Sequence, residues 1–212
     1  MEQTKELARW SSEFGIELSR EQLALFETYL YELSVWNSKT NLSAITQPQE
    51  IIVKHFVDSL ACCKGIVIFG NNLRLLDIGS GAGFPGLPLK IAFPQISLSL
   101  LEPTSKKIAF LRHVIGTLRL TNVKAIPKTL QAFAADRENH GMFSCLITRA
   151  LNISPIIDQC LELCAADGRL ILCRSKPFSE KEEMGGFEID RELSYDLPCG
   201  YGHRVLTILK RR

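Results

Sequence analysis

The chain has 212 residues, enough for one domain with at most a small helical extension, and 46% of them are hydrophobic, as a globular core requires. Lys and Arg total 25 against 23 Asp and Glu, so the formal charge of +2 neither demands nor excludes RNA, and a nucleic-acid partner needs a local basic patch. No apolar run approaches the roughly 20 residues that span a bilayer, and the start Met1-Glu2-Gln3-Thr4-Lys5-Glu6 is polar, so a cytoplasmic protein without signal peptide or membrane anchor is expected.

Residues 1–70 read as a helical extension. Ser19 with Gln22 forms a capping box, and Leu23, Phe26, Leu30 and Leu33 follow as one apolar stripe. The polar run Trp36-Asn37-Ser38-Lys39-Thr40-Asn41 is expected to break that stripe as a turn. A further helix is predicted from Pro48 to Cys63, with Ile51, Ile52, Phe56 and Leu60 inward, and Gly65, Gly70, Asn71 and Asn72 mark a hinge.

From residue 71 to 212 strands and helices alternate. The first strand, 73–78, runs into Asp77-Ile78-Gly79-Ser80-Gly81-Ala82-Gly83-Phe84-Pro85-Gly86, and a helix over 85–92 follows. Strand, glycine turn and helix let backbone N–H groups approach a polar ligand that a Cβ would block. Two ligand classes fit. Gly81-Ala82-Gly83-Phe84-Pro85-Gly86 is a literal G-x-G-x-x-G with Glu102 placed to take a ribose, as in a dinucleotide-dependent oxidoreductase. Asp77-x-Gly79-x-Gly81-x-Gly83 is the pattern of S-adenosylmethionine (SAM) methyltransferases. The acid at position 77 would repel a pyrophosphate but attract cationic SAM, and Pro85 removes an N–H that a phosphate cradle would use. SAM therefore ranks first.

Ile96–Leu101 is the second strand, ending at Glu102, and a helix starts at Ser105. Val123–Ile126 and Phe143–Thr148 are the third and fourth strands. A helix near 154–164 is expected to close at Asp167-Gly168, and Gly168–Cys173 is the fifth strand. Glu188–Leu197 and His203–Leu209 look like a closing antiparallel pair, with Lys210-Arg211-Arg212 a frayed tail. The alternation implies an α/β, three-layer, mostly parallel sheet of seven strands behind N-terminal helices. Seven cysteines without a C-x-x-C pair read as reduced, mostly buried thiols, with no metal site.

Several of these segments together resemble the bacterial ribosomal RNA small subunit methyltransferase G family, also called glucose-inhibited division protein B. They are Trp36-Asn37 with Asn41-Leu42 and Ile45; His55-Phe56-x-Asp58-Ser59-Leu60; Leu76 through Gly86; Leu101-Glu102 with Lys106-Lys107 and Phe110-Leu111; and Arg149-Ala150. They cover about residues 29 to 176. The resemblance implies a Rossmann-like SAM methyltransferase fold and methylation of N7 of a guanine in the 530 loop of 16S ribosomal RNA. It implies a monomer whose partner is 16S RNA or the small ribosomal subunit.

Carried onto this sequence, the resemblance places SAM against Gly79 and Phe84, at Glu102, Pro103 and Thr104, and at Leu130 and Gln131. Asp77, Gly81 and Gly83 complete that loop. Arg149 matches the arginine after the fourth strand, with a role in orienting substrate beside the cofactor. Asn37, Asn41, His55, Asp58, Ser59, Lys106 and Lys176 are the substrate candidates. The chain departs from the family at Thr129-Leu130-Gln131-Ala132 and at Arg174-Ser175-Lys176, where the family has a lysine-glycine. No general base is assigned, because guanine N7 presents a lone pair without losing a proton. A noncatalytic ribosome-assembly factor is the remaining alternative.

Overall fold

The structure, a computed structural model, describes residues 2–66, 73–149, 152–178 and 184–212. Its centre is a seven-stranded sheet in the order β3-β2-β1-β4-β5-β7-β6. The strands are β1 (Arg74–Ile78), β2 (Ser97–Leu101), β3 (Val123–Ile126), β4 (Phe143–Arg149), β5 (Cys164–Arg174), β6 (Phe187–Asp196) and β7 (His203–Arg211). The first five pair in parallel, while β7 inserts antiparallel between β5 and β6. The order in which strands are added reverses between β1 and β4, so the carboxyl ends of those parallel strands border the crevice where such sheets hold ligands.

The sheet's two faces carry separate apolar clusters. One takes Leu75, Leu98, Leu100, Cys145, Ile147 and Ile171 together with the N-terminal helices α1 (Glu2–Ser12) and α2 (Arg20–Thr40). The other takes Leu76, Ile78, Leu101, Leu146 and Leu170 with α8 (Leu130–Ala134) and α9 (Ile157–Leu163). The alternation of Leu75 and Leu76, or of Cys145 and Leu146, to opposite clusters is the two-residue period of a strand buried on both faces. Helices α6 (Gly86–Ala92) and α7 (Ser105–Thr117) also contribute Leu87, Leu89, Phe110 and Leu111 to the first cluster.

Several expectations shift. The Ser19–Gln22 capping box is present, but α2 runs on through Trp36–Thr40 and ends with Asn41 in the left-handed region at φ 49°. The polar run continues the helix, with Asn37 buried and its amide bonded to Ser43 in the segment that folds back beyond it. The buried stripe is Phe26, Tyr29, Leu33 and Asn37, with Leu23 and Leu30 only half-buried. The segment expected as one helix is divided into α3 (Pro48–Ile51), a π-helical stretch Ile52–Val57, α4 (Asp58–Ala61) and α5 (Cys63–Ile66). The wider turn puts Ile52, Val53, His55, Phe56 and Val57 all in the interior, more than an α-helical face could bury.

Gly65 is not a hinge. It lies in α5, where an added Cβ would come within 2.8 Å of Ile171 Cδ1; Gly70, Asn71 and Asn72 fall outside the described residues. The helix before β5 stops at Leu163, and Cys164 already pairs with Phe143 in the sheet. Nor is the carboxyl end frayed at Arg211, whose Nη1 donates to the carbonyls of Leu161 and Cys164. Six cysteines are buried and free, and Cys199 is exposed.

Candidate functional site

The site has two halves. The first is the glycine turn at the end of β1. Gly79, Gly81 and Gly83 hold φ of 70°, 58° and 101°, which L side chains rarely adopt. At Gly83 an added Cβ would also meet Leu87 Cδ1 at 2.5 Å and the Tyr29 hydroxyl at 2.7 Å. Two acids pin the turn. Glu102, at the end of β2, accepts from Gly81 N–H at 3.0 Å through Oε2 and from Thr104 N–H at 2.9 Å through Oε1. Asp77 is fully buried and accepts from Gly86 N–H at 2.8 Å through Oδ2. Burial raises its pKa to about 7, against the lowering pull of the Gly86 N–H and of Arg149.

These residues fit a SAM-type group. Asp77 Oδ1 and Ser80 Oγ are buried at the turn without a hydrogen-bond partner, and two carboxylates are the acceptors that an ammonium and a pair of ribose hydroxyls call for. Asp77 lies beneath the turn rather than in its mouth, while Pro103 is exposed and Thr104 half-exposed beside Glu102. Leu130 is buried in the second cluster, so its backbone and the exposed Gln131 at the start of α8 are the parts that face outward. Thr129 Oγ1 caps this helix by accepting from Ala132 N–H at 3.2 Å.

The second half is a cleft of about 490 Å³ beyond β4 and β5, lined by Lys54, His55, Asp58, Arg149, Arg174 and Lys176, with Ile45, Cys173, Ser175 and Arg204. Five of these side chains are Lys or Arg, which supplies the basic patch that net charge alone could not reveal. Arg149, the last residue of β4, is where the halves meet. Its Nη1 donates to Lys54 O at 3.0 Å and lies 3.4 Å from Asp58 Oδ2, and its Nη2 lies 3.0 Å from His55 Nδ1. The guanidinium also sits 5.5 Å from the centroid of Phe84, whose ring stacks between His55 (4.4 Å) and Tyr29 (5.5 Å).

The tautomer of His55 follows from its partners. A guanidinium only donates, so Nδ1 must accept and the proton sits on Nε2, which donates to Ser43 Oγ at 3.0 Å. Burial and the Arg149 charge lower the pKa to about 3, so the ring is neutral. Ser43 is held in turn by Asn37, whose Oδ1 accepts from Ser43 N–H and whose Nδ2 donates to Ser43 O, both at 2.8 Å. Ser59 is buried in α4, and its hydroxyl donates back to His55 O.

The sequence candidates thus separate. His55, Asp58, Arg149 and Lys176 share the cleft, whereas Asn37 and Ser59 support it from below. Asn41 is an exposed helix terminus. Lys106 lies away from the cleft lining and donates to Thr40 O at 2.9 Å, closing the end of α2. Sequence reasoning missed Ser43, Lys54, Tyr195 and Arg204. Nothing local marks them, since each matters only through a contact made across the fold.

A family model described as rRNA small subunit methyltransferase G matches residues 22–193. The Ribosomal RNA small subunit methyltransferase G of Desulfitobacterium hafniense is 43% identical over 93% of this chain and 84% of its own length. That of Acetivibrio thermocellus is 33% identical over 98% and 88%. Among solved structures, MtNAS in complex with MTA and tNA covers 98% of this chain and 86% of that one at TM-score 0.61 and 15% identity. M. jannaschii TYW2 in complex with AdoMet covers 71% of this chain and 74% of that one at TM-score 0.53 and 15% identity; both likenesses show a common fold. Of the two ligand classes that the glycine turn admits, the family selects SAM. The chain belongs to the rRNA small subunit methyltransferase G family.

Proposed function

We propose that the protein transfers a methyl group from SAM to N7 of a guanine in the 530 loop of 16S ribosomal RNA, working in the cytoplasm as a monomer on the RNA or the small subunit. The observation that carries this reading is the engagement of both proton acceptors in the basic cleft. His55 spends its lone pair on Arg149, and Asp58 faces Arg149, Arg204 and the Tyr195 hydroxyl. Neither is available as a general base, and N7 is a nucleophile that needs none.

SAM supplies an electrophilic methyl on a sulfonium centre. The chain's own residues hold, orient and exclude. Glu102 offers its carboxylate to the ribose hydroxyls while its present bonds to Gly81 and Thr104 keep the turn in place. The glycine turn and Asp77 set the cationic end of the donor. Arg149 is held at three points, and its remaining N–H groups suit O6 of the guanine or a phosphate, which leaves the N7 lone pair free to attack. Lys54, Arg174 and Lys176 neutralise flanking phosphates. Catalysis then rests on proximity and alignment of an unstacked base. Mapping N7-methylguanine in 16S RNA from cells lacking and then regaining the gene tests this. The mark should vanish and return, and an unchanged methylation map overturns the reading.

A further inference from the structure

Tyr195, in β6, lies beyond the residues matched by the family model and outside every motif read from the sequence. Its ring is 9% exposed and packs edge-on against Phe14 at 5.6 Å. Its hydroxyl donates to Asp58 Oδ1 at 2.8 Å. Arg204, near the start of β7, brings its Nε to 3.6 Å from the same oxygen. The other oxygen of Asp58, Oδ2, faces Arg149 Nη1 at 3.4 Å. The carboxylate is therefore divided: the C-terminal strand pair holds one oxygen and the arginine after β4 uses the other.

A buried carboxylate at the start of a short helix keeps a broad, two-fold torsion about its last bond. A donor at one oxygen fixes the plane of the group and with it the direction of the second oxygen. Burial and the neighbouring Cys62 and Asp58 push the Tyr195 phenol far above its ordinary range, so it stays a donor at every working pH. We infer that Tyr195 is a positioning residue for methyl transfer, its hydroxyl fixing the Asp58 carboxylate so that Oδ2 holds the Arg149 guanidinium at the cleft. The inference rests on the reading that Arg149 orients the RNA.

Tyr195→Phe removes the hydroxyl and keeps the ring against Phe14. Single-turnover and steady-state methylation of 16S-containing subunits should show kcat lowered about tenfold, with KM for RNA and the Kd for SAM unchanged. Asp58→Asn, which keeps the shape, should show the same split. In an Arg149→Ala background Tyr195→Phe should have no further effect on kcat, because its influence passes through that arginine. If Arg149→Ala is itself silent, the role given to Arg149 fails. If Arg149→Ala is crippling while Tyr195→Phe keeps the wild-type kcat, or lowers kcat equally in both backgrounds, the positioning role alone is overturned.

Discussion

The glycine turn and the basic cleft are built in opposite ways. The turn is acidic, dominated by backbone, and drawn from the short stretch Asp77 to Thr104. The cleft is basic, dominated by side chains, and gathered from the π-helical turn, α4, β4, β5 and β7. In the proposed reaction the acidic turn suits a cationic donor, and the basic cleft suits a polyanion. Arg149 and the His55–Phe84–Tyr29 stack form the wall between them. A methyltransferase acting on RNA needs this polarity, because it must bring a cation and a polyanion to one point without mixing their sites.

The comparison can be broken most severely at the wall. Arg149→Ala should lower methyl transfer by about 10²-fold, the scale for losing one preorganised donor, while the melting temperature moves little. A protein that instead melts, with its folded remainder fully active, would make Arg149 an ion-pair scaffold. On the acidic side, Glu102→Ala should weaken SAM by about 1.5–3 kcal/mol, the range for a bond to a charged group, and leave RNA affinity alone. Calorimetry showing equal losses for both ligands would assign Glu102 to structure. On the basic side, Lys54→Ala and Lys176→Ala should each lower RNA affinity only several-fold. Each should also reduce the slope of log affinity against log salt by about 1, without altering SAM binding; an unchanged slope places the RNA elsewhere.

The smallest effect concerns acid. His55 is neutral when folded, with its pKa lowered to about 3 from an ordinary value of 6.5. The unfolded chain therefore binds more protons, and stability falls as pH drops from about 6.5 towards 3. Asp77 acts in the reverse sense. With a folded pKa raised to about 7 from 3.8, it loses stability as pH rises through that interval. The two should offset over the shared window. His55→Asn should remove the acid-side loss and leave a melting temperature that declines as pH rises from 4 to 7; a flat profile would show that Asp77 is not desolvated as its burial implies.

Local pattern was enough for the strands, the capping box and the glycine turn. A strand buried on both faces, a capped helix start and three positive-φ glycines each leave their signal within a few residues. The H-x-x-D-S-L segment and the distant arginine were legible as a resemblance, but not as a contact. Lys106 beside Glu102 suggested an RNA contact, yet the end of α2 lies within its reach and needs a donor for Thr40 O. Asn37 looked like a turn former, yet the chain beyond α2 folds back so that its amide meets Ser43.

By itself, then, the amino-acid sequence determined the family, the order of strands and helices, and the acidic glycine turn, because these depend on neighbours along the chain. Only the tertiary structure decided that His55 is a neutral acceptor and that Asp58 is shared between Arg149 and the C-terminal strand pair. It also decided that five cations line one cleft. Those properties arise from desolvation and from donors contributed by distant strands, and neither exists until the two faces of the sheet are packed.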